Sequence, residues 1–267
     1  METMNETEKL REFSMELNRP HRKGGKIVIV TSGKGGVGKT HIALNLSLAL
    51  TRLGQRVSLF DGDFHLSNLN VLLGIRTKST LSDVLYGNES IESICFKDDT
   101  GLKIYSAEMG NNHLLGLESN LKERFYHEFE SLRSENDLIF VDTSAGISES
   151  IIGLSLRADE VVIVTTPEPT AISDAYALIK ILSGMKEGIH FKIILNLVKS
   201  EREAMEVFER LSLVINHFLT AEASLLGHVL QDQHVQQAVQ EQVPFIKSAP
   251  NCKASRCITE IARRMVS

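Results

Sequence analysis

The sequence predicts a doubly wound α/β fold, a single mostly parallel sheet with helices on both faces, and three observations carry that reading. From Lys26 onward, short runs rich in Val and Ile alternate with longer amphipathic stretches, the pattern of buried parallel strands joined by crossover helices. No internal repeat or low-complexity tract interrupts the alternation. Apolar residues make up 42% of the 267 and charged residues 24%, which suffices for one large core and is too balanced for a disordered chain.

Taken in order, strand 27–31 reads Ile-Val-Ile-Val-Thr, and helix 40–52 after it carries Ala43, Leu44, Leu46, Leu48 and Leu50. Strand 57–60, Val-Ser-Leu-Phe, precedes helix 79–86, and strand 102–105 precedes helix 117–133. Strand 138–142 is the apolar run Leu-Ile-Phe-Val closed by Asp142, with helix 148–157 behind it. Strands 161–165 and 193–197 repeat the unit with helices 170–183 and 202–217. Strand 225–229 is the last, followed by helices 233–240 and 254–266. Ahead of this domain over 26–267, residues 1–25 read as an amphipathic arm on a basic linker. Leu10, Phe13 and Leu17 fall at helical spacing, and Arg19-Pro20-His21-Arg22-Lys23-Gly24-Gly25 breaks any regular element.

Composition narrows the class of function. No stretch reaches the roughly 18 consecutive apolar residues of a membrane-spanning helix, and the polar first residues do not read as a signal peptide, so a cytoplasmic location is expected. Cys95, Cys252 and Cys257 show no Cys-x-x-Cys spacing and read as reduced, packed thiols. A net charge of −5 exerts no overall pull toward nucleic acid, which makes DNA an unlikely partner.

The chemistry is concentrated after the first strand, in Gly33-Lys34-Gly35-Gly36-Val37-Gly38-Lys39-Thr40 followed by His41. This is a phosphate-binding loop set between a strand and a helix. Its glycines let backbone N–H groups wrap a phosphate while the helix start adds the positive end of its dipole. Lys39 is expected to neutralise the β- and γ-phosphates and Thr40 to offer a hydroxyl to Mg²⁺. Lys34 is an extra lysine in the loop, whose long stem can reach its own nucleotide or one on a neighbouring subunit. Acids are expected at strand ends: Asp142 as the residue that holds a water on the metal, and Asp61 and Asp63 two apart, with both carboxylates on one side of extended chain. Asn196, at the end of Lys192-Ile193-Ile194-Leu195, has a donor and an acceptor for a base edge.

With Lys-Gly-Gly-Val-Gly-Lys-Thr at 34–40, Asp-Gly-Asp at 61–63 followed by Asn68, and Asp-Thr-Ser-Ala-Gly at 142–146, the chain resembles the MinD/ParA group of deviant Walker A ATPases. The resemblance runs from Lys26 to the C-terminus and implies ATP and Mg²⁺, with a homodimer that forms on ATP and resets on hydrolysis. It implies that Lys34 crosses to the phosphates of the second subunit, that Asp63 helps activate water, and that Asp61 and Asp142 hold Mg²⁺ through water. Asn68 matches the switch asparagine. The segment Leu226-Gly227-His228-Val229-Leu230-Gln231-Asp232 resembles the adenine-side loop, with Leu230 where proline is usual, and His41 stands where a small residue is usual. Residues 166–176 resemble the loop and helix at the group's partner-binding face.

Within the group the chain is most similar to the flagellar number and placement regulators of the FlhG type, also called FleN or YlxH. That similarity implies a signal-recognition-type GTPase, FlhF, as partner, met through an Asp-Gln-Ala-x-x-Leu-Arg motif in the arm. Here the stretch is Asn5-Glu6-Thr7-Glu8-Lys9-Leu10-Arg11, in which Leu10 and Arg11 match and Glu6 replaces the amide. Glu6, Leu10, Arg11 and Phe13 are the expected contacts, and flagellar basal-body or regulatory proteins are further implied partners. Partition or division-site positioning is the alternative role, and an iron–sulfur carrier is disfavoured by the cysteine spacing. Relatives of the MinD type add a C-terminal membrane-targeting helix, which would place the protein peripherally at the inner face of the membrane. Here Ala254, Cys257, Ile258, Ile261, Ala262 and Met265 form a stripe without bulky anchors, and core packing is the expectation.

Overall fold

The computed structural model describes residues 24–63, 68–75, 79–87, 89–106 and 119–267. The arm contacts expected at Glu6, Leu10, Arg11 and Phe13 lie outside those residues. The chain runs β1 (Lys26–Ser32), α1 (Lys39–Arg52), β2 (Val57–Gly62), α2 (Asn68–Leu73), α3 (Leu81–Tyr86), β3 (Cys95–Lys97), β4 (Lys103–Tyr105), α4 (Ser119–Ser131) and β5 (Leu138–Ala145). It continues through α5 (Glu149–Arg157), β6 (Glu160–Thr165), α6 (Pro169–Met185), β7 (His190–Val198), α7 (Glu201–Phe218), β8 (Glu222–Leu230), α8 (Gln233–Gln240), α9 (Phe245–Ser248) and α10 (Lys253–Val266).

The strands form one eight-stranded sheet in the order β3-β4-β2-β5-β1-β6-β7-β8, parallel except for the β3–β4 pair. Side chains alternate across it, as the two-residue period of a strand requires. Ile27, Ile29, Ile139, Val141, Val161 and Ile163 enter one core, beneath α3 to α7. Val28, Val30, Leu138, Phe140, Val162 and Val164 enter the other, with α1, α8, α9 and α10. Burying an aliphatic or aromatic side chain of this size stabilises by about 1.5–3 kcal/mol, and both faces of every central strand contribute. That is why the strands read as unbroken apolar runs.

Four elements depart from the sequence expectation. β3 is a three-residue antiparallel edge strand, too short to show a period, formed where Asp98 accepts hydrogen bonds from Thr100 N and Oγ1 and turns the chain into β4. The helices α2 and α9 have six and four residues, and helices so short depend on tertiary contacts. α9 is tied by Ile246 N donating to Asn45 Oδ1 at 2.9 Å and by Arg52 donating to Ile246 O at 3.0 Å. The helix expected at 79–86 starts at Leu81, because Thr80 and Asp83 form a reciprocal capping box.

The apolar stripe of α10 is used within the fold: Ala254, Ile258, Ile261 and Ala262 are buried and Cys257 and Met265 pack beside them, against the sheet and α1. A membrane surface would have to displace that packing to reach the stripe. Among the described residues no helix is long and apolar enough to cross a membrane.

Candidate nucleotide site

The loop 33–40 leaves β1 at the C-terminal edge of the sheet. There β1 lies between β5 and β6, the place where strand order reverses and α/β sheets open a crevice for ligands. Gly33 admits no side chain, since a Cβ there would lie 2.3 Å from the Asp174 backbone carbonyl of α6. Gly38 caps α1 at φ +85°, and a Cβ on it would meet Asn196 Nδ2 at 2.4 Å. No side chain caps α1 and its first turn holds no acid, whereas Thr80, Ser148, Ser200 and Asp232 cap α3, α5, α7 and α8. Gly35 and Gly36 face open space apart from the Ala145 methyl. The uncapped amides, the helix dipole and the open glycine cradle are the features an anion requires, and phosphate fits them. Ser32 braces the loop: its hydroxyl donates to Lys34 O at 3.0 Å and its carbonyl accepts from Gly146 N at 2.9 Å.

The acids converge below this cradle. Asp61 on β2 and Asp142 on β5 are direct register partners on neighbouring strands. Asp142 is buried and pairs with the Lys39 ammonium, which also approaches Thr40 Oγ1 at 3.4 Å. Burial pushes the Asp142 carboxyl above the ordinary carboxylate range, opposed by Lys39 and Thr40 and reinforced by the charge of Asp63. Asp61 accepts from Asp63 N at 3.1 Å and from Leu69 N at 3.3 Å, so its two oxygens join the end of β2 to the first turn of α2. Thr40, Asp61 and Asp142 together form an all-oxygen donor set, which suits Mg²⁺. Asn68 begins α2, and its side chain lies outside the described residues. His41 follows Thr40 and lines a crevice with Leu44, Leu72, Val235, Val239 and Phe245. Burial there lowers its pKa, against the pull of Asp142, and keeps the ring neutral at pH 7.

Lys34 points the other way. Its Nζ donates to Glu168 Oε1 at 2.6 Å and to Thr170 Oγ1 at 2.9 Å, at the start of α6. Both ends of this pair are solvent-accessible, with side chains 35% and 56% exposed, so the lysine is available to exchange partners. Nothing in the local sequence flagged Glu168 or Thr170 as its neighbours, because they lie 134 and 136 residues away.

The base side is built from the ends of β7 and β8. Asn196 donates from Nδ2 to Val37 O at 2.8 Å, which places the amide against the phosphate loop. Leu197 follows at φ +58°, a left-handed conformation rare for a branched residue, where β7 shifts register against β8. Leu230 pairs with Val198 and packs half-buried against the core. The Asp232 carboxylate accepts from His234 N at 3.0 Å, His234 Nδ1 at 2.7 Å and Ala254 N at 3.3 Å. Burial pushes that carboxyl up, but these hydrogen bonds outweigh it and hold it well below the usual range. Its oxygens therefore organise the loop by joining α8 to α10.

A family profile described as ParA, NUBPL iron-transfer P-loop NTPase, matches residues 24–266. The chain belongs to the MinD/ParA family of P-loop ATPases. It is 36% identical over 242 residues to the antiactivator FleN of Pseudomonas aeruginosa, covering 91% of this chain and 86% of that one. It is 36% identical over 246 residues to the flagellum site-determining protein YlxH of Helicobacter pylori, covering 91% and 82%. Among solved structures, the septum site-determining protein MinD of Pyrococcus horikoshii complexed with Mg-ADP superposes with a TM-score of 0.72 at 25% identity, over 90% of this chain and 96% of that one.

Among the described residues no group of three or more His, Cys, Asp or Glu that could hold a metal ion occurs. Cys252 caps α10 by accepting from Ser255 N at 3.4 Å, and Cys257 lies against the Leu230 backbone with its thiol pushed up by burial.

Proposed function

We propose that this chain is a Mg²⁺-dependent ATPase that works as an ATP-driven dimerisation switch in the control of flagellar number or placement, with an FlhF-type GTPase as partner. The observation that carries the switch is the position of Lys34. It lies at the open edge of the phosphate loop, held among the described residues by the exposed Glu168 and Thr170, where it can trade them for phosphates on a second copy. The flagellar assignment is supported by FleN and YlxH, which cover nine-tenths of the chain. The name of YlxH, a flagellum site-determining protein, places that relative in flagellar control.

The residues divide the work. The amides of 33–40 and the α1 dipole bind the phosphates, and Lys39 leaves Asp142 to neutralise them. Thr40, with Asp61 and Asp142 through water, would hold Mg²⁺, which would supply positive charge to offset the phosphates. Asp63 orients the attacking water, and Asn68 reports on the γ-phosphate through α2. Asn196 reads the base while Asp232 and Leu230 shape the loop beside it. Phosphoryl transfer has a loose transition state, so positioning and charge account for most of the catalysis. In the arm, Glu6, Leu10, Arg11 and Phe13 meet the GTPase.

Lys34→Ala is the direct test. It should bind ATP within about threefold of wild type yet fail to dimerise, read by light scattering on a sizing column with ATP and Mg²⁺. A normal ATP-dependent dimer would remove the cross-subunit role. Glu168→Gln should act in the opposite direction. With the charged acceptor gone, the dimer should form at an ATP concentration about two- to fivefold lower, read in the same experiment. Co-purification with the GTPase, repeated without residues 1–18, tests the partner. Equal retention with and without the arm would exclude the arm as its site.

A further inference from the structure

The two ends of the six-residue helix α2 are held by different parts of the fold. At its start, Leu69 N donates to Asp61 Oδ2. At its end, Gln242 Nε2 donates to the Val71 carbonyl at 2.7 Å, which also receives Gly74 N at 3.4 Å. Gln242 lies in the turn after α8, at φ +54°. Among the described residues only Leu197 and Gln242 hold such a conformation without being glycine, and both lie on elements that lead from the base side. A strained backbone persists where its surroundings require it, and such positions gather at switches and clamps. Helices of six residues are not stable on their own, so the pin at the last turn matters more here than in a long helix.

The two helices also meet through apolar side chains. Leu72 of α2 lines a crevice with Val235, Val239 and Val243, and His41 closes it on the phosphate-loop side. α8 itself starts at Asp232, whose carboxylate caps it. A continuous chain of contacts therefore runs from the base-side loop through α8 and Gln242 to the end of α2, and through α2 to Asp61.

We propose that Gln242 is a positioning residue for hydrolysis: its donated hydrogen bond ties the turn after α8 to the last turn of α2 and so steadies the contact of Leu69 N with Asp61 beside the phosphate loop. This rests on the reading of 61–68 as the hydrolytic switch. The side-chain donor is the active feature. Gln242→Glu keeps size and shape but cannot donate to a carbonyl, Gln242→Gly removes the contact while relieving the left-handed strain, and Gln242→Lys restores a donor favoured at a helix C-terminus.

The test compares the four full-length chains with ATP and Mg²⁺, measuring steady-state turnover and amide exchange across 69–75 without nucleotide. The Glu and Gly variants should lose about five- to tenfold in kcat with KM changed less than about twofold, and their exchange over 69–75 should quicken. The Lys variant should recover both. Wild-type exchange in the Glu and Gly variants overturns the contact, whatever the turnover. Faster exchange with wild-type kcat, or a Lys variant as slow as the Glu variant, overturns the positioning role. A wild-type chain that does not turn over ATP at all overturns the switch reading itself, and the exchange data then still judge the contact separately.

Discussion

Lys39→Met should lose ATP affinity by about a hundredfold or more and, in the same variant, become less stable in a way that depends on pH. Lys39 and Asp142 form a buried pair. Removing one member of such a pair leaves the other charge without compensation, at a cost of about 3–5 kcal/mol. Asp142 can escape part of that cost by taking a proton, since burial already raises its pKa in the intact pair. With Lys39 gone the folded state holds this proton more tightly than the unfolded chain does. The variant therefore regains stability as pH falls through the raised folded pKa, fully so below the ordinary carboxylate value of about 4, and loses it as pH rises. Urea midpoints of variant and wild type at pH 7.5 and pH 5 measure this directly. A deficit of equal size at both values would mean that Asp142 does not carry the charge.

Asp63→Ala should have the largest effect on turnover and little on binding. Asp63 is half-buried, close enough to Asp142 to raise its pKa, and fixed by its own N–H on Asp61. Removing a group that orients water should lower kcat by about a hundredfold or more while ATP still binds and the dimer accumulates. Single-turnover phosphate release beside sizing chromatography separates the two effects. Turnover within threefold of wild type, or a chain that stays monomeric with ATP, would assign the water to another residue.

These two variants and Lys34→Ala draw on different amounts of structural information. The phosphate loop was legible at once, because its eight residues form one local motif between a strand and a helix. Asp61 and Asp142 were legible as acids at strand ends, and the sheet order brings them onto neighbouring strands. The base side was less so. Asp232 reads in sequence as a loop residue beside the nucleotide, and only the fold reveals that its oxygens are engaged by His234 and Ala254. The short helices α2 and α9 and the edge strand β3 carried too few residues for any periodicity to register.

What the sequence by itself determined is the alternation of buried strands and covering helices and the chemistry of the loop at the end of the first strand. Both are local: the period of apolar residues says which faces are buried, and the glycines and lysines of a phosphate loop are contiguous. The tertiary structure alone decided which charges meet. Lys39 with Asp142, Lys34 with Glu168 and Gln242 with Val71 join residues 103, 134 and 171 positions apart. Such pairings follow from strand order and the packing of connections, which no window of sequence contains.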